Sequence, residues 1–250
     1  MRAPKQQTYD SNFYADQQHD SYLSAKAVLP LLQAAIAPQS VVDVGCGVGT
    51  WLRAWKEIGA RSIFGIDGDY VLTSGLQIPE SNFLAMDLTR PQSIGGRYDL
   101  AESLEVAEHL PPHAARPFVD FLCSLAPVVL FGAAIPFQGG TAHLNERWPE
   151  YWAGMFFANG YEVCDLIRPA IWTNPNVKFW YAQNTFVYVK RDQLHKYSNL
   201  SGRKSQFRSL ARLHPGHLGR KSKAAYVLHR AFSWPATVAV RGLRRAAAGG

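Results

Sequence analysis

The sequence predicts an α/β domain in which helices cover a mainly parallel sheet, followed by a basic extension. From residue 22 to 190, apolar runs of strand length alternate with amphipathic segments, a pattern typical of parallel strands joined by helices. Residues 1–190 carry 13 Lys or Arg and 18 Asp or Glu, whereas residues 191–250 carry 13 Lys or Arg and a single acid. We therefore predict one domain over 1–190 and a partly helical, basic extension over 191–250.

Seven apolar runs have the length and the flanking turn residues of strands. They occupy residues 41–45, 62–67, 83–88, 98–104, 127–135, 161–168 and 181–189. Helical segments are predicted at 21–36, 50–59, 112–125 and 147–160. Because parallel strands end at one edge of a sheet, the side chains that follow these strands are expected to meet there.

The cysteines and the apolar content bear on the cellular compartment. Cys46, Cys123 and Cys164 have neither disulfide nor metal spacing, which favours free thiols in a reducing compartment. No apolar stretch approaches the roughly 18 residues of a spanning helix, and residues 1–20 contain no signal-peptide core. We expect a cytoplasmic protein.

The basic extension has three interpretations. Its charge suits anionic lipid headgroups or a phosphate backbone, whereas a solvated tail would need no partner. Residues 224–240 are more apolar than nucleic-acid-binding tails usually are. This favours an anionic membrane surface over nucleic acid, and it would make the protein peripheral to the inner face of the membrane.

Three glycines follow the first predicted strand in "VVDVGCGVGTWL", at Gly45, Gly47 and Gly49. Glycines at a strand-to-helix turn let the backbone approach a ligand closely, and the helix that follows presents free N–H groups at its start. A dinucleotide-binding turn would need a glycine where Thr50 stands, so a nicotinamide cofactor is disfavoured.

Acids end the next two predicted strands. Asp67, in "SIFGID", is placed to accept hydrogen bonds from both hydroxyls of a ribose. Asp87, in "FLAMDL", suits an exocyclic amine, with Met86 and Leu88 flanking an adenine face. The glycine turn and the two acids together predict a nucleoside-binding cradle at the carboxyl edge of the sheet.

At these residues the chain resembles the class I S-adenosylmethionine-dependent methyltransferases, over roughly residues 22–190. The resemblance rests on the D-x-G-x-G-x-G turn joined to the two acids. It implies a Rossmann-like, doubly wound sheet of seven strands with a reversed last strand, and S-adenosylmethionine as cofactor. The cofactor-binding residues that it implies are Asp43, Gly45, Gly47, Gly49, Asp67, Gly68, Met86, Asp87, Leu88 and Ser103.

Ionisable residues cluster after the fourth predicted strand, in "ESLEVAEHLPP". Glu105, Glu108 and His109 have the i, i+3, i+4 spacing that puts side chains on one face of a helical turn. Two converging carboxylates need a proton, a cation or a metal, and a metal is the most economical answer because His109 adds a nitrogen. His143, beyond a glycine-rich turn after the fifth strand, can fold back over them.

This E-x-x-E-H plus distal His arrangement resembles the divalent-metal site of small-RNA terminal 2′-O-methyltransferases, and E-x-x-E-H is also similar to ubiquinone-pathway O-methyltransferases. The metal ligands implied are Glu105, Glu108, His109 and His143. Such a mixed set fits Mn²⁺, Co²⁺ or Fe²⁺ better than Mg²⁺. We predict Glu108, His109 and His143 as catalytic residues, with a histidine as general base if it is not a ligand. Without a metal, the cluster would keep an acid–base or structural role.

Amides and aromatic rings in the second half of the chain suit a carbohydrate, whose C–H faces stack while its hydroxyls form hydrogen bonds. The predicted substrate-binding residues are Gln138, Asn145, Trp148, Gln183 and Asn184, the last two inside the seventh predicted strand. The surrounding segments resemble bacterial methyltransferases that accompany glycosyltransferases in surface-polysaccharide pathways. That resemblance implies a saccharide or lipid-linked glycan as acceptor.

The sequence thus predicts an S-adenosylmethionine-dependent O-methyltransferase that acts on a sugar hydroxyl, with or without a divalent metal. One alternative is an RNA 2′-O-methyltransferase that binds phosphates through the basic extension. Another is a binding module without catalytic activity that is recruited to a membrane.

Overall fold

The computed structural model describes residues 11–206 and 209–217, with side chains from residue 18 onward. Its strands are β1 (Ser40–Val44), β2 (Ser62–Asp67), β3 (Phe83–Ala85), β4 (Leu100–Leu104), β5 (Val128–Gly132), β6 (Tyr161–Cys164) and β7 (Phe186–Lys190). Its helices are α1 (Ser11–Ile36), α2 (Thr50–Glu57), α3 (Ala115–Leu125), α4 (Pro149–Ala158), α5 (Ile167–Ile171), α6 (Phe179–Asn184) and α7 (Ser198–Ser201).

One sheet joins the strands in the order β3-β2-β1-β4-β5-β7-β6. Neighbours are parallel except at β7, which runs antiparallel to β5 and β6. The predicted α/β class, the seven strands and the reversed last strand are confirmed. Strand order reverses between β1 and β4, and the crevice outside their carboxyl ends is where open sheets of this kind bind ligands.

Successive side chains of the buried strands point to opposite faces of the sheet, so the core has two layers. Leu130 of β5 packs in the layer covered by α1 and α2, whereas its neighbour Phe131 packs in the layer covered by α3 and α4. Trp55 fills the first layer, and Phe118 and Phe156 fill the second, each of them fully buried. Burial of side chains of this size stabilises the fold by about 2–3 kcal/mol apiece.

Two predicted strands are shorter than expected because their ends are helical. The sixth ends at Cys164, and residues that we had assigned to it enter α5. The seventh begins only at Phe186, so the prediction that Gln183 and Asn184 lie in a strand is wrong; both belong to α6. Their buried amides need polar partners, and at the end of α6 they reach Gln138 and Glu105, to which they donate hydrogen bonds.

Part of the extension packs on the domain. Leu210 is fully buried, and its carbonyl accepts a hydrogen bond of 2.7 Å from the guanidinium of Arg168, which is also fully buried. Lys204 forms a β-bridge with Cys164. The apolar part, 224–240, lies outside the described residues. Among the helices that the structure describes, none is long and apolar enough to cross a bilayer.

Candidate active site

Two adjoining cavities open at the carboxyl ends of β1, β2, β3 and β4, with volumes of about 1060 and 760 Å³. We call them the large and the small cavity. The residues that line both are Gly45, Gly47, Tyr70, Glu105 and His109. Carboxylates line each cavity, and no Lys or Arg occurs among the described lining residues. The site therefore suits a cationic or neutral ligand better than an anionic one.

The glycine turn brings backbone to the junction of the cavities. Gly45 has φ +88°, and a Cβ added there would lie 2.3 Å from Val106, so a side chain is excluded. Gly47, at φ +52°, has open space where a Cβ would be, which leaves room for a ligand against the backbone. Gly49 lines neither cavity; it caps the start of α2 in a left-handed conformation.

Asp67, at the end of β2, is tied to the glycine turn. Its Oδ2 accepts a hydrogen bond of 2.6 Å from the Gly47 N–H, and its Oδ1 accepts one of 2.7 Å from the Gly68 N–H. The hydroxyl of Tyr70 also donates to Oδ1. Burial, and then the hydrogen bond to Asp67, raise the pKa of Tyr70. The carboxylate is thereby held at the edge of the small cavity.

Met86, Asp87 and Leu88, which we predict to flank an adenine, follow β3 and line the small cavity. Asp87 is exposed, and its Oδ1 accepts hydrogen bonds from the hydroxyl (2.7 Å) and the N–H (2.9 Å) of Thr89. The Thr89 hydroxyl, followed by its N–H, lowers the pKa of the Asp87 carboxyl. Asp87 is therefore a charged acceptor at the mouth of this cavity.

Asp43 and Glu102 are paired residues on the neighbouring strands β1 and β4. Asp43 lines the large cavity, and its pKa is raised well above the usual value by burial, by Glu102 and by Asp67. Glu102 is fully buried, accepts a hydrogen bond of 2.8 Å from the Trp55 indole N–H, and has a pKa raised to about 8 by burial. A cation near Asp43 would relieve this crowding of carboxyl groups.

Ser103 does not reach the cleft, contrary to our prediction. It is fully buried within β4, and its hydroxyl has no hydrogen-bond partner among the described residues. A side chain within a strand points into a face of the sheet, whereas the cleft is lined by the residues at and beyond the strand end, Leu104 and Glu105.

Glu105 lies at the junction of the two cavities in a left-handed conformation, at φ +57°. Its Oε1 accepts a hydrogen bond of 2.8 Å from the Asn184 amide, and its Oε2 accepts one of 2.8 Å from the Gln138 amide. Gln183 in turn donates to Gln138 at 3.3 Å. Burial raises the pKa of Glu105 although these amides favour its charged form. The amide network fixes the carboxyl group in a backbone conformation that residues other than glycine rarely adopt.

Glu108, His109 and His143 form the tightest cluster, with one ligand atom of each within 4.8 Å of the others. Glu108 is fully buried, and neither of its carboxylate oxygens makes a hydrogen bond of good geometry with the described residues, although the carboxyl of Glu105 and the backbone of Ala134 lie close to it. Burial, followed by repulsion from Glu105, raises its pKa. Burial and the neighbouring His143 lower the pKa of His109, which favours a neutral imidazole.

Glu105 falls outside this cluster, although we predicted it as a fourth ligand. The predicted helical turn is a short 3-10 turn over Ala107–His109, and Glu105 precedes it. Because Glu105 adopts a left-handed backbone, its side chain is directed to Gln138 and Asn184 instead of sharing one helical face with Glu108.

The loop between β5 and α4 carries His143 to the cluster. The N–H groups of Leu144 and Asn145 donate to the Glu108 carbonyl at 2.8 and 2.9 Å, which fastens the loop over the turn. Of the predicted substrate residues, Gln138 lines the large cavity, whereas Asn145 and Trp148 line neither cavity. Asn145 is buried and accepts a hydrogen bond from Arg147, and Trp148 directly precedes the first residue of α4, Pro149.

The profile of the family described as "Methyltransferase domain" matches residues 15–170. The chain belongs to this family. A curated relative, malonyl-[acyl-carrier protein] O-methyltransferase of Pseudescherichia vulneris, is 28% identical over 148 residues, which are 57% of this chain and 54% of that protein. The chain therefore matches about half the length of this curated relative.

Solved structures share the fold of this methyltransferase domain. CalS10, an amino pentose methyltransferase from Micromonospora echinaspora with bound S-adenosylmethionine, has a TM-score of 0.55 and 16% identity, covering 74% of this chain and 99% of that one. DesVI of Streptomyces venezuelae has a TM-score of 0.55 and 13% identity, covering 71% and 95%. At these identities the likeness establishes the fold.

The small cavity fits S-adenosylmethionine, the cofactor of methyltransferase domains with this fold. Open space at Gly47 admits a ligand against the backbone, and Asp67 and Asp87 offer acceptors to a ribose and an adenine amine. The carboxyl of Asp43, buried beside other acids, suits the positive charges of the methionine end. The described domain is thus an S-adenosylmethionine-dependent methyltransferase domain.

Two residues of this methyltransferase domain were missed in the sequence. Tyr70 lines both cavities and contacts Asp67, and Glu146 contacts His143. The i, i+3 spacing of His143 and Glu146 was a usable signal, because it brings two side chains to the same side of a turn. Nothing in the segment around Tyr70 distinguishes it from an ordinary exposed loop residue.

Proposed function

We propose that the protein is an S-adenosylmethionine-dependent O-methyltransferase that acts on a sugar hydroxyl and binds a divalent cation at Glu108, His109 and His143. One observation carries the proposal: the buried carboxylate of Glu108 makes no hydrogen bond of good geometry with the described residues and lies beside two imidazoles. A buried, unpaired carboxylate is costly unless a cation or a proton accompanies it.

The cluster adjoins the proposed position of the transferable methyl group. His109 and Glu105 line both cavities, so their side chains would lie between a cofactor in the small cavity and an acceptor in the large one. With the nucleoside held by Asp67 and Asp87, the methionine end would lie along Gly45 and Gly47, towards His109. An acceptor hydroxyl in the large cavity would then face the methyl group.

The walls of the large cavity support a saccharide acceptor. Trp180 and Tyr181 offer aromatic faces, and the Gln138 amide offers hydrogen-bonding groups on the same wall. At about 1060 Å³ the cavity exceeds what a single sugar ring needs, which agrees with a longer saccharide or a lipid-linked glycan. Among the described lining residues the absence of Lys and Arg argues against an RNA phosphate backbone near the reacting centre.

Methyl transfer to a sugar requires that the hydroxyl lose a proton at neutral pH. A divalent cation, when bound, lowers the pKa of a hydroxyl that it contacts and stabilises the developing negative charge. Where His109 does not ligate the cation, its imidazole, which burial keeps neutral, is suited to accept the proton. Mixed carboxylate and imidazole ligands favour Mn²⁺, Co²⁺ or Fe²⁺ over Mg²⁺.

The test is methyl transfer from radiolabelled S-adenosylmethionine to extracted polysaccharides and glycolipids, with total RNA as a parallel acceptor. We expect label in the saccharide fraction, loss of transfer in chelator, and recovery with Mn²⁺ or Co²⁺. His109→Ala should abolish transfer, and His113→Ala should not, since His113 is exposed and lines neither cavity.

The outcomes separate the alternatives. Label in RNA alone would replace the saccharide acceptor with a nucleic acid. Full methyl transfer in the presence of chelator would show that no cation is required, and the cluster would then have an acid–base role only. A protein that binds S-adenosylhomocysteine but labels none of these fractions would contradict the assigned acceptor class.

A further inference from the structure

Glu146 connects three points of the loop that carries His143. Its Oε1 lies 2.9 Å from Nδ1 of His143 and accepts a hydrogen bond of 3.1 Å from the Gly139 N–H. Its Oε2 accepts a hydrogen bond of 2.8 Å from the Phe137 N–H. Glu146 lines neither cavity, so it is not itself a ligand-binding residue.

The chemistry of this contact determines the state of the imidazole. Both carboxyl oxygens of Glu146 already accept backbone N–H groups, so Glu146 is suited to accept from Nδ1 of His143 as well, which places the proton of a neutral imidazole on Nδ1. In a neutral imidazole, Nε2 then keeps its lone pair. With Nδ1 bound to Glu146, Nε2 is the nitrogen that remains for Glu108 and His109.

The loop backbone restricts the ring from the other side. A Cβ added at Gly140 would lie 2.3 Å from Nε2 of His143, and Gly140 has φ +152°, so any other residue there would be strained and would displace the ring. Phe137 and Ala142 have φ values of +70° and +58°, a conformation that costs energy for residues other than glycine. Such a loop persists when several contacts fix it, and Glu146 supplies two of its backbone contacts.

We propose that Glu146 is a positioning residue, which fixes the tautomer and the orientation of His143 so that Nε2 points into the cluster with Glu108 and His109. The consequence for cation binding rests on the proposed function, whereas the tautomer does not. Residues that orient a ligating histidine typically change metal affinity about 10- to 100-fold when they are replaced.

Long-range ¹⁵N–¹H correlation spectra of the full chain test the tautomer directly, at about pH 8 where imidazoles are neutral. We expect His143, assigned by the loss of its signals in His143→Asn, to carry its proton on Nδ1. In Glu146→Ala and Glu146→Gln we expect a shift towards the Nε2–H form. A wild-type protein with the proton on Nε2 would overturn the proposal.

Calorimetry with Mn²⁺ gives the second measurement. Glu146→Gln should weaken Mn²⁺ binding by at least about tenfold. Its affinity for S-adenosylhomocysteine should stay unchanged, because the small cavity is untouched. Glu150→Gln is the matched control, because Glu150 also accepts a backbone N–H, from Ala211 at 3.2 Å, and forms no hydrogen bond or ion pair with a histidine among the described residues.

The two proposals fail in different ways. If the wild type binds no Mn²⁺ but His143 carries its proton on Nδ1, the proposal of a cation site is wrong and the positioning role of Glu146 stands. If the wild type binds Mn²⁺ and Glu146→Gln binds it equally well, the role of Glu146 in the cluster is wrong and the cation stands.

Discussion

Apart from Asp43, whose pKa burial raises, the acids of the two halves of the cleft are held in different ways. The cofactor half consists of the residues at the ends of β1, β2 and β3, namely Gly45, Gly47, Asp67 and Asp87. The acceptor half consists of the residues after β4 and β5, namely Glu105, Glu108, His109 and His143. In the first, backbone N–H groups bind the carboxylates of Asp67 and Asp87. In the second, burial raises the pKa values of Glu105 and Glu108, and Glu108 makes no hydrogen bond of good geometry with the described residues.

The cofactor half is therefore a preformed binding site, whereas the acceptor half has a buried acid that a bound cation would neutralise. Carboxyl groups that backbone N–H groups bind offer a fixed hydrogen-bonding pattern to a neutral sugar and base. A buried acid without a partner stores an unfavourable energy that a cation removes on binding. The left-handed backbone of Glu105 adds strain to the same half.

Asp67→Ala should produce the largest loss in the cofactor half. The change removes the tie to Gly47 and the acceptor for the ribose hydroxyls, so we expect S-adenosylhomocysteine affinity to fall about 10- to 100-fold. Calorimetry measures it. Glu80→Ala, an exposed acid outside both cavities, is the control. Equal affinities for wild type and Asp67→Ala would remove Asp67 from the cofactor site.

Glu108→Gln should separate stability from cation binding in the acceptor half. The neutral amide removes the carboxylate, but it is also a buried polar group without a partner, so the stability of the metal-free protein should change by less than about 1 kcal/mol. Mn²⁺ affinity should fall at least about tenfold, because a carboxylate ligand is lost. Thermal unfolding and calorimetry measure the two effects. A destabilised variant with unchanged Mn²⁺ binding would contradict the comparison.

Glu102 gives a further test of how burial changes the pKa of an acid in this region. It is fully buried in β4, where it is paired with Asp43 of β1. Its folded-state pKa of about 8 exceeds the usual value near 4.3, so the protonated form favours folding. Its contribution to stability is therefore full below about pH 4, falls as the pH rises towards 8, and is lost above that.

Replacing Glu102 by Gln should remove this dependence and leave the acceptor for the Trp55 N–H in place. We expect melting temperatures of the two proteins to agree near pH 4 and to differ by about 10 °C near pH 9, with the variant higher. Parallel curves across that range would show that Glu102 does not titrate in this way.

Tyr70→Phe should give the smallest effect. The Tyr70 hydroxyl donates to the Asp67 oxygen that a ribose would use, so its removal should tighten S-adenosylhomocysteine binding by about two- to fivefold. An analogue without the 2′ and 3′ hydroxyls should bind both proteins equally. Tyr98→Phe, outside both cavities, is the control. Weaker binding to Tyr70→Phe would mean that the hydroxyl assists the cofactor.

The cofactor half was predictable because its residues follow strands in fixed positions. Asp67 and Asp87 follow or end two apolar runs, and Gly45 and Gly47 follow a third. Because the strands are parallel, their carboxyl ends, and so these residues, meet at one edge of the sheet. The acceptor half depended on contacts between distant segments. The left-handed turn at Glu105 and the helix that carries Asn184 have no local sequence signal, so a regular helical spacing was the wrong guide there.

Titration of the S-adenosylhomocysteine-saturated protein with Mn²⁺ tests the central claim most directly. The account predicts one ion per chain in the wild type, with binding weakened at least about tenfold in Glu108→Gln and His143→Asn and unchanged in His113→Ala. Cofactor saturation shows that the first half of the cleft is intact in every protein. A wild type that binds S-adenosylhomocysteine and takes up no Mn²⁺ would contradict the claim that the acceptor half is built around a cation.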